Sequence, residues 1–119
     1  MTLPKMKIKF LQKPTCTTCR KARGLLLEMG AELEARDLDK QRLTAVELEE
    51  LIGNRDYKEF LNTRNELYRV RKMKEHPPSR AEAIKLMAKE PNLIRRPVVI
   101  RGSQMVLGFD EAAYRKLLK

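Results

Sequence analysis

The sequence predicts an α/β fold in a single domain, residues 1–119, with the order strand–helix–strand, a helical insert, then strand–strand–helix. Three observations carry this. Two alternating segments, Met6–Leu11 and Ala31–Leu38, flank a stretch whose apolar residues recur at helical spacing. Strand, helix and strand within about 35 residues is the size of a βαβ unit. The middle of the chain carries helix-start signals, and "PVVI" and "MVLGF" flank the turn "RGSQ" near the end, ahead of a last helical pattern.

Taken in order, "MKIKFL" alternates apolar and basic residues and reads as a strand, and "QKPTC" is a turn. From Thr17 to Met29 the residues Ala22, Leu25, Leu26 and Met29 mark one helical face, and Gly30 is a helix stop. The second strand alternates through Leu33, Ala35 and Leu38. Thr44 and Glu47 form a capping-box pattern ahead of Leu48, Leu51 and Ile52. Short helices are expected around Tyr57–Leu61 and Asn65–Val70. "HPPS" at His76–Ser79 is a break, because consecutive prolines cannot sit inside a helix. Ser79 and Glu82 repeat the capping pattern before Ile84, Leu86 and Met87, with Pro91 just past the helix end. Asp110 caps a last helix carrying Ala113, Leu117 and Leu118. Met6, Met29, Met73, Met87 and Met105 are expected mostly as core fillers, and His76 as an exposed loop residue. This is the thioredoxin order with extra helices in the middle, hence a thioredoxin-like fold.

Composition narrows the function. Hydrophobic residues make up 42% but lie in short blocks, well short of the roughly 20 apolar residues a membrane helix needs. The opening "MTLPKMKIKF" lacks the apolar stretch and cleavage site of a secretory signal. A soluble cytoplasmic protein is expected, where thiols rest reduced and a disulfide is transient or catalytic. The formal charge of +10 attracts anions, whether oxyanions, acidic proteins or nucleic acid. Three phenylalanines, three tyrosines and no tryptophan are too few for a single-strand stacking platform. "RVRKMK", Arg69 to Lys74, is therefore read as a solvated helix face, and direct nucleic-acid binding is disfavoured.

The chemistry-bearing stretch is "KPTCTTCRKA", which holds both cysteines of the chain, Cys16 and Cys19. A structural zinc site usually needs a second pair of ligands, and His76 is the one histidine; no metal is expected. Buried small residues are the bland alternative. Pro14, Thr15 and Thr17, as turn and cap residues, instead put Cys16 at the tip between strand and helix. A helix start presents unpaired N–H groups and partial positive charge, both of which favour the nucleophilic thiolate. Lys13 and Arg20 add charge. Cys19 falls one turn later, so Cys16 is the attacking thiol and Cys19 the candidate resolving thiol, in a redox-type CxxC.

"PTCTTCRKA" after the first strand, "LNTRNELY" in the middle and "IRRPVVI" before the hairpin together resemble the arsenate reductase (ArsC) family and its Spx-type relatives, from about Lys7 to Leu118. The resemblance implies that Cys16 attacks arsenate. The resulting thiol–arsenate adduct is then resolved by glutathione and glutaredoxin, with thioredoxin as the other external reductant; no cofactor is bound. It assigns the oxyanion site to Arg64 and Arg96, with Lys13, Arg95 and Pro97 beside them, Pro97 matching the fold's cis-proline. Arginine's planar fork of donors suits tetrahedral oxyanions.

Three positions depart from the reductases. Gly108 stands where their third arginine would be, Gln12 stands where they place a histidine, and Cys19 is a second cysteine that plasmid-type reductases lack. The CxxC, "RRP" and "LGFDE" look more like the Spx-type regulators. In those, a disulfide switch, here Cys16–Cys19, governs binding to the C-terminal domain of the RNA polymerase α subunit, with Arg95 at the partner surface. The chain stops soon after its last helix, without the longer tail of those regulators. An arginine at Gly108 would restore the reductase charge if the backbone there has no need of glycine's freedom.

Overall fold

The computed structural model describes residues 6–119, and the side chain of Met6, with its expected place in the core, lies outside the described part. The chain forms two compact units, one built from the segments up to Leu38 and from Arg96 onward, the other from Asp39–Arg95.

The first unit is a four-stranded mixed sheet, ordered β2-β1-β3-β4, with two helices. Strand β1 (Met6–Gln12) runs parallel to β2 (Ala31–Asp37) and antiparallel to β3 (Val98–Arg101), which makes a hairpin with β4 (Gln104–Leu107). The alternation in β1 is realised directly: Ile8 and Phe10 are buried while Lys7 and Lys9 are exposed. Helix α1 (Thr17–Glu28) and helix α5 (Glu111–Leu117) contribute Ala22, Leu26, Tyr114 and Leu117 to the core that holds Ile8, Phe10 and Val99. Each large side chain buried here contributes about 1.5–3 kcal/mol. That packing seats α1, and with it the thiols, on the sheet. Gly30, at φ +87, takes the left-handed conformation that ends α1.

Two expectations shift in this unit. In β2 the pattern is weaker than the sequence suggests: Leu33 is half-buried and Ala35 exposed. The strand lies at a sheet edge, where one flank has no neighbouring strand to cover its side chains. Leu38 lies just past β2, buried, its N–H donating to the Gln12 carbonyl at 2.9 Å. In α5 it is Tyr114 rather than Ala113 that is fully buried with Leu117.

The second unit contains α2 (Ala45–Ile52), α3 (Glu66–Val70) and α4 (Arg80–Lys89), with 3-10 turns at Tyr57–Phe60 and Pro91–Leu93. Thr44 and Glu47 form the full reciprocal capping box. At α4 Ser79 accepts from the Glu82 N–H. Ile84, Leu86 and Met87 are buried as expected, and Met73 is buried too. A lone antiparallel bridge joins Leu61 to Ile94, so "LNTRN" lies alongside the segment that runs into "RRP". Asn62 N–H donates to Leu93 O and Arg95 N–H to Phe60 O, both at 2.7 Å.

The strand order β1-α1-β2, helical insert, β3-β4-α5 is thioredoxin-like, as the sequence predicts. Among the described residues no helix is long and apolar enough to cross a membrane.

Candidate active site

Strand β1 ends at Gln12 and the chain turns through Lys13, Pro14 and Thr15. The Cys16 N–H donates to the Lys13 carbonyl at 2.9 Å, and the Arg20 Nε reaches back to the Pro14 carbonyl at 3.0 Å. The turn is thus closed by two hydrogen bonds on the first turn of α1. Cys16 itself, not Thr17, is the N-cap, with extended φ/ψ of −78° and 123°; Thr17 is the first helical residue. An N-cap side chain faces the open end of the helix, so the thiol sits where a serine or aspartate would usually accept.

The two thiols have opposite environments. Burial pushes Cys16 up, but the N–H and thiol of Cys19, the charge of Arg96 and the N–H of Thr18 outweigh it, and its pKa lies below the ordinary value. These amides act electrostatically, since no side-chain cap hydrogen bond closes on the sulfur. Cys19 is fully buried, and burial is the main reason its pKa is pushed up to about 11; the neighbouring Cys16 adds to the rise, while the Lys13 backbone and Arg96 oppose it. Cys16 is half-buried and reachable. Both cysteines are free thiols in this structure.

Arg96 reaches this site through the β3 side of the sheet. The Arg96–Pro97 peptide is cis. Leu11 pairs with Val98, so continuing the antiparallel register sets Pro97 opposite Gln12, at the root of the cysteine turn. Arg96 is half-buried, its Nε sheltered from solvent, and its charge acts on both thiols. The Pro97 carbonyl accepts the Gly108 N–H at 2.8 Å, and the Gly108 carbonyl accepts the hydroxyl of buried Tyr114. Gly108 has φ +76. The backbone there uses glycine's freedom, so the condition attached to an arginine at 108 is not met.

Of the sequence-predicted site residues, Cys16, Cys19, Lys13, Arg96 and Pro97 come together in the first unit. Arg64 and Arg95 belong to the second. Arg64 is exposed and lines a cleft with Tyr68 and Arg69, and Arg95 is exposed, anchored by its own N–H. Tyr114 went unnoticed as a site residue. Burial pushes its phenol above the ordinary range, and the nearby Cys19 adds to the rise once that thiol ionises. The signal was present: Tyr114, Leu117 and Leu118 share the i, i+3, i+4 stripe of the last helix. Among the described residues, no three His, Cys, Asp or Glu side chains are grouped to hold a metal.

An extended strand–turn–helix with a depressed thiol at the N-cap, a protonated thiol at N3 and an arginine beside a cis-proline can attack an electrophile, hold an anion against it, and exchange the product for a disulfide. Comparison with known proteins gives the family. The chain is 33% identical over 115 residues to the uncharacterized protein YusI of Bacillus subtilis, covering 93% of this chain and 98% of that one. It is 28% identical over 107 residues to the global transcriptional regulator Spx of Streptococcus pyogenes, covering 88% of this chain and 80% of the regulator. The structure of a possible arsenate reductase from Streptococcus mutans superposes with a TM-score of 0.73 at 30% identity, over 89% of this chain and 92% of that one. The ArsC family pattern matches residues 11–117, and with nearly the whole chain so matched, the protein belongs to the ArsC family.

Proposed function

We propose that the protein is a thiol-dependent reductase of the arsenate reductase type, with Cys16 as its nucleophile and a tetrahedral oxyanion as substrate. The observation that carries this is the asymmetry of the thiols: Cys16, its pKa lowered, at a helix start beside Arg96, and Cys19 buried behind it with its pKa pushed up to about 11. The Cys16 thiolate forms a sulfur–arsenic bond and one arsenate oxygen leaves as water. A second thiol then attacks the Cys16 sulfur. The sulfur–arsenic bond breaks, its electron pair stays on arsenic, and arsenite leaves as the disulfide forms. Adduct formation also removes the Cys16 charge that helps raise Cys19, so Cys19 becomes easier to ionise at the step that needs it. Glutathione with glutaredoxin, or thioredoxin, would return the disulfide to thiols in a reducing cytoplasm. Lys13 and Arg96 supply local positive charge; for Arg64 and Arg95 the support is the match of "LNTRN" and "IRRP" to the family.

The test is a glutathione/glutaredoxin-coupled arsenate assay. Turnover is expected in the natural protein, none in Cys16→Ser, and a loss on the order of a hundredfold in Arg96→Ala, the usual cost of removing one preorganised donor. No turnover in the natural protein defeats this reading.

One observation favours a second reading, that of a redox-switched regulator. Position 108 is built for glycine, with φ +76 and both backbone groups hydrogen-bonded, where the reductases carry an arginine, and relatives include Spx regulators. In that case the Cys16–Cys19 disulfide would govern binding to the α subunit of RNA polymerase. Redox-dependent pull-down of the polymerase α C-terminal domain, without coupled turnover, would select it.

A further inference from the structure

The helical unit carries its net charge in one place. Asp39–Arg95 holds thirteen basic and ten acidic side chains, a net +3, and residues 63–75 alone hold five basic and two acidic ones, the same +3. Arg71 of this run turns to Glu82 at 3.8 Å. The other four, Arg64, Arg69, Lys72 and Lys74, line a cleft of about 510 Å³ together with Tyr68 and the lone carboxylate Glu75. Among the described residues none of these four cations makes an ion pair or a side-chain hydrogen bond, whereas Arg80 is paired with Glu49 at 2.8 Å and Arg115 with Glu111 at 3.8 Å.

The backbone is arranged to keep them together. The short helix expected over Asn65–Val70 is α3, which stops at Val70, so the expected solvated face at "RVRKMK" is helical only over Arg69 and Val70. The Met73 N–H donates to the Tyr68 carbonyl and the Lys72 N–H to the Arg69 carbonyl, at 3.0 and 3.1 Å. Those two bonds, with Lys72 at φ +51, are the Schellman helix stop. Its left-handed position normally takes glycine, and Lys72 is the one non-glycine residue at positive φ among the described residues. Buried Met73 pins the turn, leaving Lys72 and Lys74 exposed on either side of it in the chain. A lysine here costs backbone energy that glycine would not, and four like charges on one concave surface repel one another.

We propose that this cleft binds a small ligand carrying contiguous phosphates, a nucleoside polyphosphate or free polyphosphate. Four cations against one carboxylate match the charge of a polyphosphate chain rather than that of a single carboxylate or monophosphate. The size falls in the range of small-ligand sites, about 300–1,000 Å³. Tyr68 offers a ring at the same place, which a nucleoside base could use. This site goes beyond the reductase reading and does not need the thiols; Arg64, which the family match also assigns to the oxyanion, is the one cation the two readings share.

Calorimetric titration of the intact chain with ATP, tripolyphosphate and inorganic phosphate, at matched ionic strength and without magnesium, tests it. Tripolyphosphate and ATP are expected to bind, and phosphate not. ATP binding more tightly than tripolyphosphate, with the excess lost in Tyr68→Ala, identifies a nucleotide; equal binding identifies free polyphosphate. Lys74→Gln should weaken binding roughly tenfold, the usual value of a hydrogen bond to a charged group. Lys72→Gly should weaken it as much while melting at or above the natural protein, a combination that no loss of fold can imitate. Lys85→Gln, outside the cleft, should bind as the natural protein does, and Cys16→Ser likewise. The proposal is overturned if neither polyphosphate binds, if phosphate binds as well as they do, or if Lys72→Gly and Lys74→Gln bind normally. Binding of a single-stranded oligonucleotide through these lysines, with none of the small polyphosphates, would also overturn it.

Discussion

The hydroxyl of Tyr114 donates to the carbonyl of Gly108, both buried. Gly108 in turn donates its N–H to Pro97, so a hydrogen-bonded line runs from the last helix through the β3–β4 hairpin to the cis-proline beside the thiols. Tyr114 also backs Cys19. Its ring meets Phe109 edge-on at 5.8 Å between centroids, and Lys21 lies 5.1 Å over the other ring.

Removing the phenol oxygen alone tests that line. Tyr114→Phe keeps the ring but leaves the buried Gly108 carbonyl without its donor, which should cost about 1–3 kcal/mol. Urea unfolding of the reduced protein checks it. An unchanged midpoint would mean that the hydroxyl contributes nothing to holding this corner.

The thiols should separate by alkylation. Cys16 should react with iodoacetamide with an apparent pKa below the free-thiol value of about 8.5, and Cys19 should stay protected until the pH approaches about 11. Peptide mass spectrometry over a pH series reads both. Faster labelling of Cys19 would reverse the roles assigned here.

Stability of the reduced protein should follow the same two groups with opposite signs. Cys19 holds its proton more tightly when folded. Its contribution is fully present below the free-thiol value and is lost as pH rises through about 11. Cys16 is depressed, so its contribution is present above the free-thiol value and is lost as pH falls through its lowered pKa. Relative to the natural chain, Cys19→Ala should flatten the alkaline decline and Cys16→Ser the acid one. Denaturant midpoints of the three proteins against pH give the differences; three parallel curves would contradict both shifts.

Gly108→Arg is expected to lower stability rather than create a better oxyanion site. A side chain at φ +76 pays roughly 1–2 kcal/mol for the left-handed conformation. A melting curve and the coupled assay on the same sample decide it. Raised turnover at unchanged melting temperature would show that the backbone accepts arginine.

What was legible in the sequence was local. Thr44 with Glu47, and Asp110 ahead of α5, announce their helices through contacts three residues apart, and both caps are present. Cys16 and Cys19 on one helical turn were equally plain. Misreadings came where a distant partner or a backbone angle decides. Thr17 has better capping chemistry than a thiol, yet the turn closed by Lys13 and Pro14 makes Cys16 the N-cap. Ala35 alternates correctly but lies on an edge strand. The positive φ of Gly108 depends on its hydrogen bonds to Pro97 and Tyr114. The sequence places the helix end at Val70, where α3 stops, but nothing in Arg69–Lys74 announces that the stop puts a lysine, Lys72, in the glycine position.

The pairing of Leu11 with Val98 spans 86 intervening residues. During synthesis, β1 and β2 emerge first and the contiguous stretch Asp39–Arg95 follows, but the central sheet stays half-built until the β3–β4 hairpin has left the ribosome. Such long-range closure is slow relative to helix formation. Arg96 and Pro97 arrive with that last hairpin, so a nascent chain carries Cys16 without the arginine that tunes it. The Cys16 pKa takes its last step down only when the fold is finished, because the N–H and thiol of Cys19 and the N–H of Thr18 act from α1 alone while the Arg96 charge comes with the hairpin.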